Sequence, residues 1–182
     1  MKRNIARAST LAVSALVITL LTAQLAGAAN ADHTWEKIGF QTPLAFSAPQ
    51  KVGLDAAALI HPPASGLGKG QMEITLVAVP KDLQESLGNK DEEVRNYVKG
   101  TFLGSTQPAT RSAERSFLGK KVVGEGQTVS IPRKGELELY LIPLAGGDKV
   151  AVAFRWDPDF PKEKVDSVIK TVAQSFKEIK QP

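Results

Sequence analysis

The stretch that decides the fold runs from Glu136 to Ile179 and reads ELELYLIPLAGGDKVAVAFRWDPDFPKEKVDSVIKTVAQSFKEI. Before Gly146-Gly147, leucines alternate with polar or aromatic residues. After these glycines, valines and aromatic residues alternate with alanines and an arginine. Alternation with a period of two on both sides of a Gly-Gly turn predicts an antiparallel β-hairpin with one buried face.

The period changes after Asp157-Pro158, where apolar residues recur at the spacing of a helix. Pro161 suits the first turn of this helix, because that position needs no backbone donor. The predicted apolar stripe consists of Val165, Val168, Ile169, Val172, Phe176 and Ile179. The apolar face of the sheet and the apolar stripe of the helix must both be buried away from water, so we expect the helix to pack on the hairpin. Its partners there would be either Leu137, Leu139 and Leu141 or Val152, Phe154 and Trp156.

The chain before the hairpin predicts further strands and an internal helix. Extended segments are expected at residues 35–40, 43–46, 56–61, 72–79 and, with glycine interruptions, 113–131. Asn89 followed by Glu92 resembles a capping box, so a helix is expected to begin there and to end near Gly104. The sequence therefore predicts an α+β fold: an antiparallel β-sheet with an internal helix and a packed C-terminal helix.

The first 31 residues have the three parts of a secretory signal peptide. Basic residues lie at the start, residues 11–21 are apolar, and Ala29-Asn30-Ala31 offers a cleavage site, with an earlier one at Ala26-Gly27-Ala28. We therefore expect a signal peptide at residues 1–31 and a single exported α+β domain at residues 32–182. After cleavage, we expect no stable membrane anchor.

Charge and cysteine content exclude several classes of partner and site. Of the formal net charge of +4, three positive charges (Lys2, Arg3 and Arg7) lie in the predicted signal peptide. Bulk charge therefore gives no reason to expect a nucleic-acid partner. The chain has no cysteine, which excludes disulfides, thiolate metal sites, cysteine nucleophiles and a lipid-modified cysteine.

The order of elements over roughly residues 35–180 resembles that of PsbP-like domains. The residues that carry this resemblance are the strand at 72–79, the glycine-rich meander with Gly147–Phe154 (GDKVAVAF), and a last helix ending at residues 175–179 (SFKEI). The resemblance implies an αβα sandwich around an antiparallel sheet. It also implies an accessory or binding domain without a shared catalytic residue, and it assigns no site residues.

Two short motifs resemble functional sequences but lack essential parts. Ser167-Val168-Ile169-Lys170 matches the S-x-x-K of penicillin-binding proteins, yet no S-D-N or K-T-G follows, and Ser167 falls on the polar side of its helix. Gly66–Gly70 (GLGKG) resembles a phosphate loop, but Pro63 and Gly70 stand where that motif needs a glycine and a hydroxyl residue. We interpret the two motifs as a solvated helix face and a flexible loop.

His33 and His61 are the two histidines of the chain, and their spacing is not that of a metal site. His33 would stand second after cleavage at Ala31, where a free amine, a backbone amide and an imidazole can chelate copper. His61 could belong to a Ser-His-Asp triad, but no G-x-S-x-G sequence supports one.

Basic residues cluster around the meander: Arg111, Arg115, Lys120, Lys121, Arg133 and Lys134. They form either the solvated outer face of an antiparallel sheet or a docking patch for an acidic partner.

The sequence contains no catalytic constellation. We therefore expect an exported, non-catalytic accessory or binding domain that acts through protein–protein or small-ligand contact, with another exported or envelope protein as partner. No catalytic, cofactor-binding or metal-binding residues are assigned. The alternatives are a small exported hydrolase that uses His61 or Ser167, and an envelope inhibitor or immunity-type protein.

Overall fold

The computed structural model describes residues 29–62, 70–130 and 134–179. They form the predicted α+β fold, built on a seven-stranded antiparallel sheet. The strands of this sheet, in spatial order, are β3 (Gln50–Lys51), β4 (Ala56–His61), β5 (Met72–Val79), β9 (Lys149–Trp156), β8 (Gly135–Pro143), β7 (Lys120–Val129) and β6 (Arg111–Phe117). A three-stranded sheet consists of β1 (Ala31–Trp35), β2 (Ile38–Thr42) and β10 (Lys177–Glu178), with β2 in the middle. The helices are α1 (Lys81–Ser86), α2 (Asp91–Phe102) and α3 (Lys162–Ser175).

The predicted hairpin is formed by β8 and β9. Tyr140 pairs with Val152 and Leu139 pairs with Ala153, so the two alternating patterns are in register. Gly146 and Gly147 both have positive φ angles, of 89° and 94°. Glycine adopts this conformation without the steric penalty of a side chain, so the sequence of the turn fits its geometry.

The prediction that only one face of this hairpin is buried was wrong. The leucines of β8 and the alanines of β9 contact Val94 and Val98 of α2. On the opposite face, Tyr140, Val152 and Phe154 belong to the core that includes α3 and β2. Helices therefore cover both faces of the sheet, and α3 packs on the side of Val152 and Phe154.

The C-terminal helix is shorter than its apolar spacing predicts. It ends at Ser175, and Phe176 has an extended backbone. Phe176 is still buried in the core, but Ile179 donates its backbone N–H to Lys37 O beside the short strand β10. The last two apolar residues of the predicted stripe therefore flank the short strand β10, which joins the small sheet.

Two local predictions were also wrong. Asn89 has a positive φ of 57°, and α2 begins after Lys90 without a side-chain cap, so no capping box forms. The predicted extended segment at 35–40 is interrupted by a turn at Glu36, and residues 43–46 are irregular. Pro43 fits an irregular segment, because proline has no N–H to donate to a strand neighbour.

The predicted signal peptide and the glycine-rich loop lie largely outside the described residues. Among the residues that the structure describes, no helix is long and apolar enough to cross a membrane.

Candidate functional site

A polar cleft of about 620 Å³ opens between α2, the loop at residues 104–110 and strand β7. Its position follows from the two faces of α2. Val94 and Val98, one helical turn apart, are buried against the sheet. Arg95 and Lys99 each come one residue later, so they share the neighbouring face, which points toward β7.

The carboxylate of Glu125 on β7 lies between these two cations. Its Oε2 accepts a hydrogen bond from Lys99 Nζ at 3.1 Å, and its Oε1 lies 3.5 Å from Arg95 Nη1. The side chain of Lys99 is only 6 % exposed, whereas those of Arg95 and Glu125 are 20 % and 23 % exposed. The ion pair therefore includes a lysine with a buried side chain, whose charge needs a partner.

The cleft wall carries more positive charge than Glu125 neutralises. Two cations face one carboxylate, and Arg95 Nε is buried without a hydrogen-bond partner among the described residues. Glu92 also lines the cleft, but it lies at the exposed rim, where water screens its charge. A buried donor without an acceptor is costly, typically by about 1–3 kcal/mol, so this wall favours an added acceptor.

Further polar groups lie on the loop side of the cleft. Gln127, two residues after Glu125 and on the same face of β7, donates from Nε2 to Ser105 Oγ at 2.7 Å. Its Oε1 is buried and has no partner within the described chain. Ser105 Oγ also accepts from the backbone N–H of Gln107, so the hydroxyl hydrogen of Ser105 remains to donate.

The described lining of the cleft consists of charged and polar groups that can bind a polar ligand. Its lining contains no histidine, so the hydroxyls of Ser105 and Thr106 have no imidazole base beside them. Within 29–62, 70–130 and 134–179, no group of three or more His, Asp or Glu residues could hold a metal ion.

His33 lies elsewhere, in β1, with a structural role. Its Nε2 donates to Thr42 Oγ1 at 2.9 Å, because the Thr42 hydroxyl itself donates to Leu44 O. Its ring stacks on Phe40. Burial lowers the pKa of His33 below the usual 6.5, although the nearby Asp32 acts in the opposite direction. The imidazole considered for copper chelation is thus part of the packing of the small sheet.

The residues of the hydrolase alternative are not brought together. His61 lies at the end of β4, where its Nδ1 donates to Ala45 O at 2.6 Å and its ring contacts Phe46 and Phe160. Ser167 and Lys170 are exposed on α3. Within the described part of the chain, neither histidine has a serine as its hydrogen-bond partner.

The basic residues of the meander are partly neutralised by carboxylates. Arg111 pairs with Glu136, Arg115 lies 3.5 Å from Asp166, and Lys121 lies 2.9 Å from Glu114. Lys120 and Lys134 are exposed, and Arg133 is outside the described residues. These ion pairs are what a solvated sheet face contains.

Another cleft, of about 530 Å³, lies beside Arg111, Glu138 and Trp156. Tyr140 donates its hydroxyl to Glu138 Oε2 at 2.7 Å, and burial together with this bond raises the pKa of Tyr140 well above its usual range. The guanidinium of Arg111 lies 5.9 Å from the ring centre of Trp156. The lining of this cleft holds two cations, Arg111 and Lys162, and three carboxylates, Glu136, Glu138 and Asp166.

Comparison with known proteins adds little about function. No known protein family and no curated protein matches the sequence. Among the solved structures that match is a crystal structure of a protein from Bacteroides thetaiotaomicron, with 9 % sequence identity and a TM-score of 0.45. The match covers 80 % of this chain and 46 % of that chain, so the chain spans about half the length of that protein.

None of the four residues Arg95, Lys99, Glu125 and Gln127 was predicted from the sequence as part of a site. A signal for the two cations was present, because they follow the buried Val94 and Val98 at the same four-residue interval. No pattern within the sequence links that helix face to a glutamate 26 residues farther on.

Proposed function

We propose that this protein is an exported, non-catalytic binding domain that holds a small polar ligand in the cleft between α2, the 104–110 loop and β7. The observation that carries the proposal is the buried Lys99, which shares one carboxylate with Arg95 while Arg95 Nε has no partner among the described residues. Export is supported by the pattern of residues 1–31. The fold-level resemblance to PsbP-like domains, which remains a prediction, is consistent with a non-catalytic role.

The size and openness of the cleft support a small ligand. A volume of about 620 Å³ is in the range of sites that hold metabolites, roughly 300–1,000 Å³. Exposed Asn96, Thr106 and Gln107 line it beside the charged groups, and such polar groups orient a ligand by hydrogen bonding.

The proposal is tested by screening small molecules of mixed charge against the ¹⁵N-labelled protein by NMR. Ligands should shift the amide signals of residues 95–109 and 125–127, and Lys99→Met should abolish the shifts. Lys149→Met is the matched control, because Lys149 is also a lysine in an ion pair, with Asp91 at 2.7 Å, and does not line the cleft. If no compound binds, or if Lys149→Met has the same effect as Lys99→Met, the proposal is wrong.

A second candidate function is accessory contact with another exported or envelope protein. It is favoured by the turn between β3 and β4, where Leu54 is 84 % exposed and Val52 is 51 % exposed. Large apolar side chains at such exposure are available to a partner surface. A photo-crosslinking residue at position 54 should give one specific adduct in the envelope fraction, and Leu54→Asp should prevent co-purification of that partner. Equal adducts from position 54 and from the exposed Lys170 of α3 would exclude a specific contact.

A further inference from the structure

We infer that the ligand of the Arg95–Lys99 cleft is a small carboxylate anion and that Glu125 is its internal competitor, a conclusion that rests on the proposed binding function.

The two cations of the wall select against neutral and cationic ligands, since Glu92, the second carboxylate of the lining, lies at the exposed rim. Lys99 and Arg95 together carry two positive charges, and Glu125 is the only carboxylate paired with them within the described chain. The side chain of Lys99 is almost completely buried, and an unbalanced charge is unfavourable in such surroundings. An anionic ligand that takes the place of the Glu125 carboxylate keeps both cations paired, whereas a neutral or cationic ligand in that place would leave them without a negative partner.

The position of Glu125 indicates what kind of anion fits. Its two oxygens are divided between the two cations, one facing Lys99 Nζ at 3.1 Å and the other facing Arg95 Nη1 at 3.5 Å. This is the planar, two-oxygen geometry that a guanidinium and an ammonium group recognise in a carboxylate. A ligand carboxylate can therefore make the same contacts, with Arg95 Nε as a further donor.

The side chain of Glu125 can move out of the site without any change of the fold. Its backbone is fixed on both sides, because it pairs with Ser112 of β6 and with Leu139 of β8. Its side chain is 23 % exposed, so the carboxylate can rotate toward solvent while the strand stays in register. A tethered carboxylate that occupies the site lowers the affinity of a free one, since the free ligand must displace it.

The experiment uses isothermal titration of the purified protein with four probes: succinate, the neutral succinamide, the cation 1,4-diaminobutane and inorganic phosphate. Succinate should bind, and Arg95→Met should weaken it by about tenfold or more, since charge-assisted hydrogen bonds are lost. Glu125→Gln removes the competing charge at nearly constant shape and should strengthen succinate binding by about tenfold or more. Asp91→Asn, which alters an exposed ion pair with Lys149 at the start of α2, should leave the affinity unchanged.

A second measurement, of melting temperature, tests the role of Glu125 independently of the titrations. Glu125→Gln leaves Lys99 without its anionic partner, so this variant should melt at a lower temperature than the wild type. Succinate should then raise its melting temperature more than it raises that of the wild type. Circular dichroism of each variant establishes that it is folded before binding is interpreted.

The outcomes separate the inference from the proposed function. Unchanged or weaker succinate binding by folded Glu125→Gln overturns the role of Glu125 as a competitor. Binding of succinamide or 1,4-diaminobutane in preference to succinate, or of phosphate more tightly than succinate, overturns the carboxylate class and leaves the cleft as a binding site. If none of the four probes binds, the inference fails, and a wider screen that also finds no ligand removes the proposed function as well.

Discussion

Gly124 of β7 has no room for a side chain. A Cβ atom added there would lie 2.6 Å from the ring of Tyr140 and 2.8 Å from Leu139 O. Tyr140 cannot move away easily, because it is fully buried and hydrogen-bonds Glu138. Gly124→Ala should therefore destabilise the protein by about 1–3 kcal/mol, as overpacking does in other cores.

The matched control is Gly100, which lies on an exposed turn of α2 with no atom within 4 Å of an added Cβ. Alanine favours a helix over glycine by about 1 kcal/mol, so Gly100→Ala should stabilise the protein. Urea unfolding of both variants measures the difference. Equal effects of the same sign would contradict the close approach of Tyr140 to β7.

His33 makes stability depend on pH. Burial lowers its pKa below 6.5 in the folded chain, so the unfolded chain binds a proton more readily than the folded one. Stability should therefore fall as the pH drops through about 6.5 toward the lowered pKa, and His33 should have no effect above that window. Melting temperatures between pH 7.5 and 5.5 should decrease less for His33→Gln than for the wild type, whereas Thr34→Gln, an exposed change on the same strand, should keep the wild-type slope.

At the scale of residues, the sequence indicated which side chains are buried better than it indicated which ones interact. Val165, Val168 and Val172 are buried as their spacing predicts. The group of Arg95, Lys99 and Glu125 could not be predicted, because it joins a helix and a strand through tertiary contact. The nearby Ser105 and Gln127 belong to a loop and to another position of that strand, and neither has a sequence motif.

At the scale of elements, Phe176 links α3 to both sheets. It is 4 % exposed, and its ring contacts Phe40 of β2 and Phe117 of β6. Truncation of a buried phenylalanine costs about 3–5 kcal/mol. Phe176→Ala should therefore lower the unfolding midpoint strongly, whereas Lys170→Ala, on the exposed side of α3, should change it little. Similar small effects would mean that α3 does not hold the two sheets together.

The sequence predicted the central elements well, because strong period-two and helical patterns determine them locally. The sequence did not predict where these elements end, and it did not predict that the second face of the sheet is buried. Glu136, Glu138 and Tyr140 looked like an exposed face, but the Tyr140 ring is apolar enough for the core and its hydroxyl is satisfied by Glu138. Phe176 and Ile179 continue the helical spacing of the sequence, but the helix ends before them. The chain there pairs with β2, which is distant in sequence, so the end of the helix could not be predicted locally.

At the scale of the whole molecule, the fold is stabilised by packing on both faces of one sheet and by no disulfide, since the chain has no cysteine. Each face has its own cluster of buried apolar residues, one under α2 and one under α3. A cysteine-free core of this kind does not depend on an oxidising compartment to fold. We therefore expect the same unfolding midpoint with and without a reducing agent.

The predicted export can be tested on the mature N-terminus. Intact-mass analysis and N-terminal sequencing of the protein from its native host should give a chain that starts at Asp32, or at Ala29 if the earlier site is used. Both forms should be about equally stable, because the residues that differ contribute little: Ala31 pairs with Thr42 at the end of β1, and Asn30 makes one exposed side-chain bond to Gln41. Surface contacts of this kind typically change stability by less than about 0.5 kcal/mol. A chain that retains Met1 and sediments with membranes would contradict cleavage, and a large loss of stability in the chain starting at Asp32 would show that the strand needs Ala31.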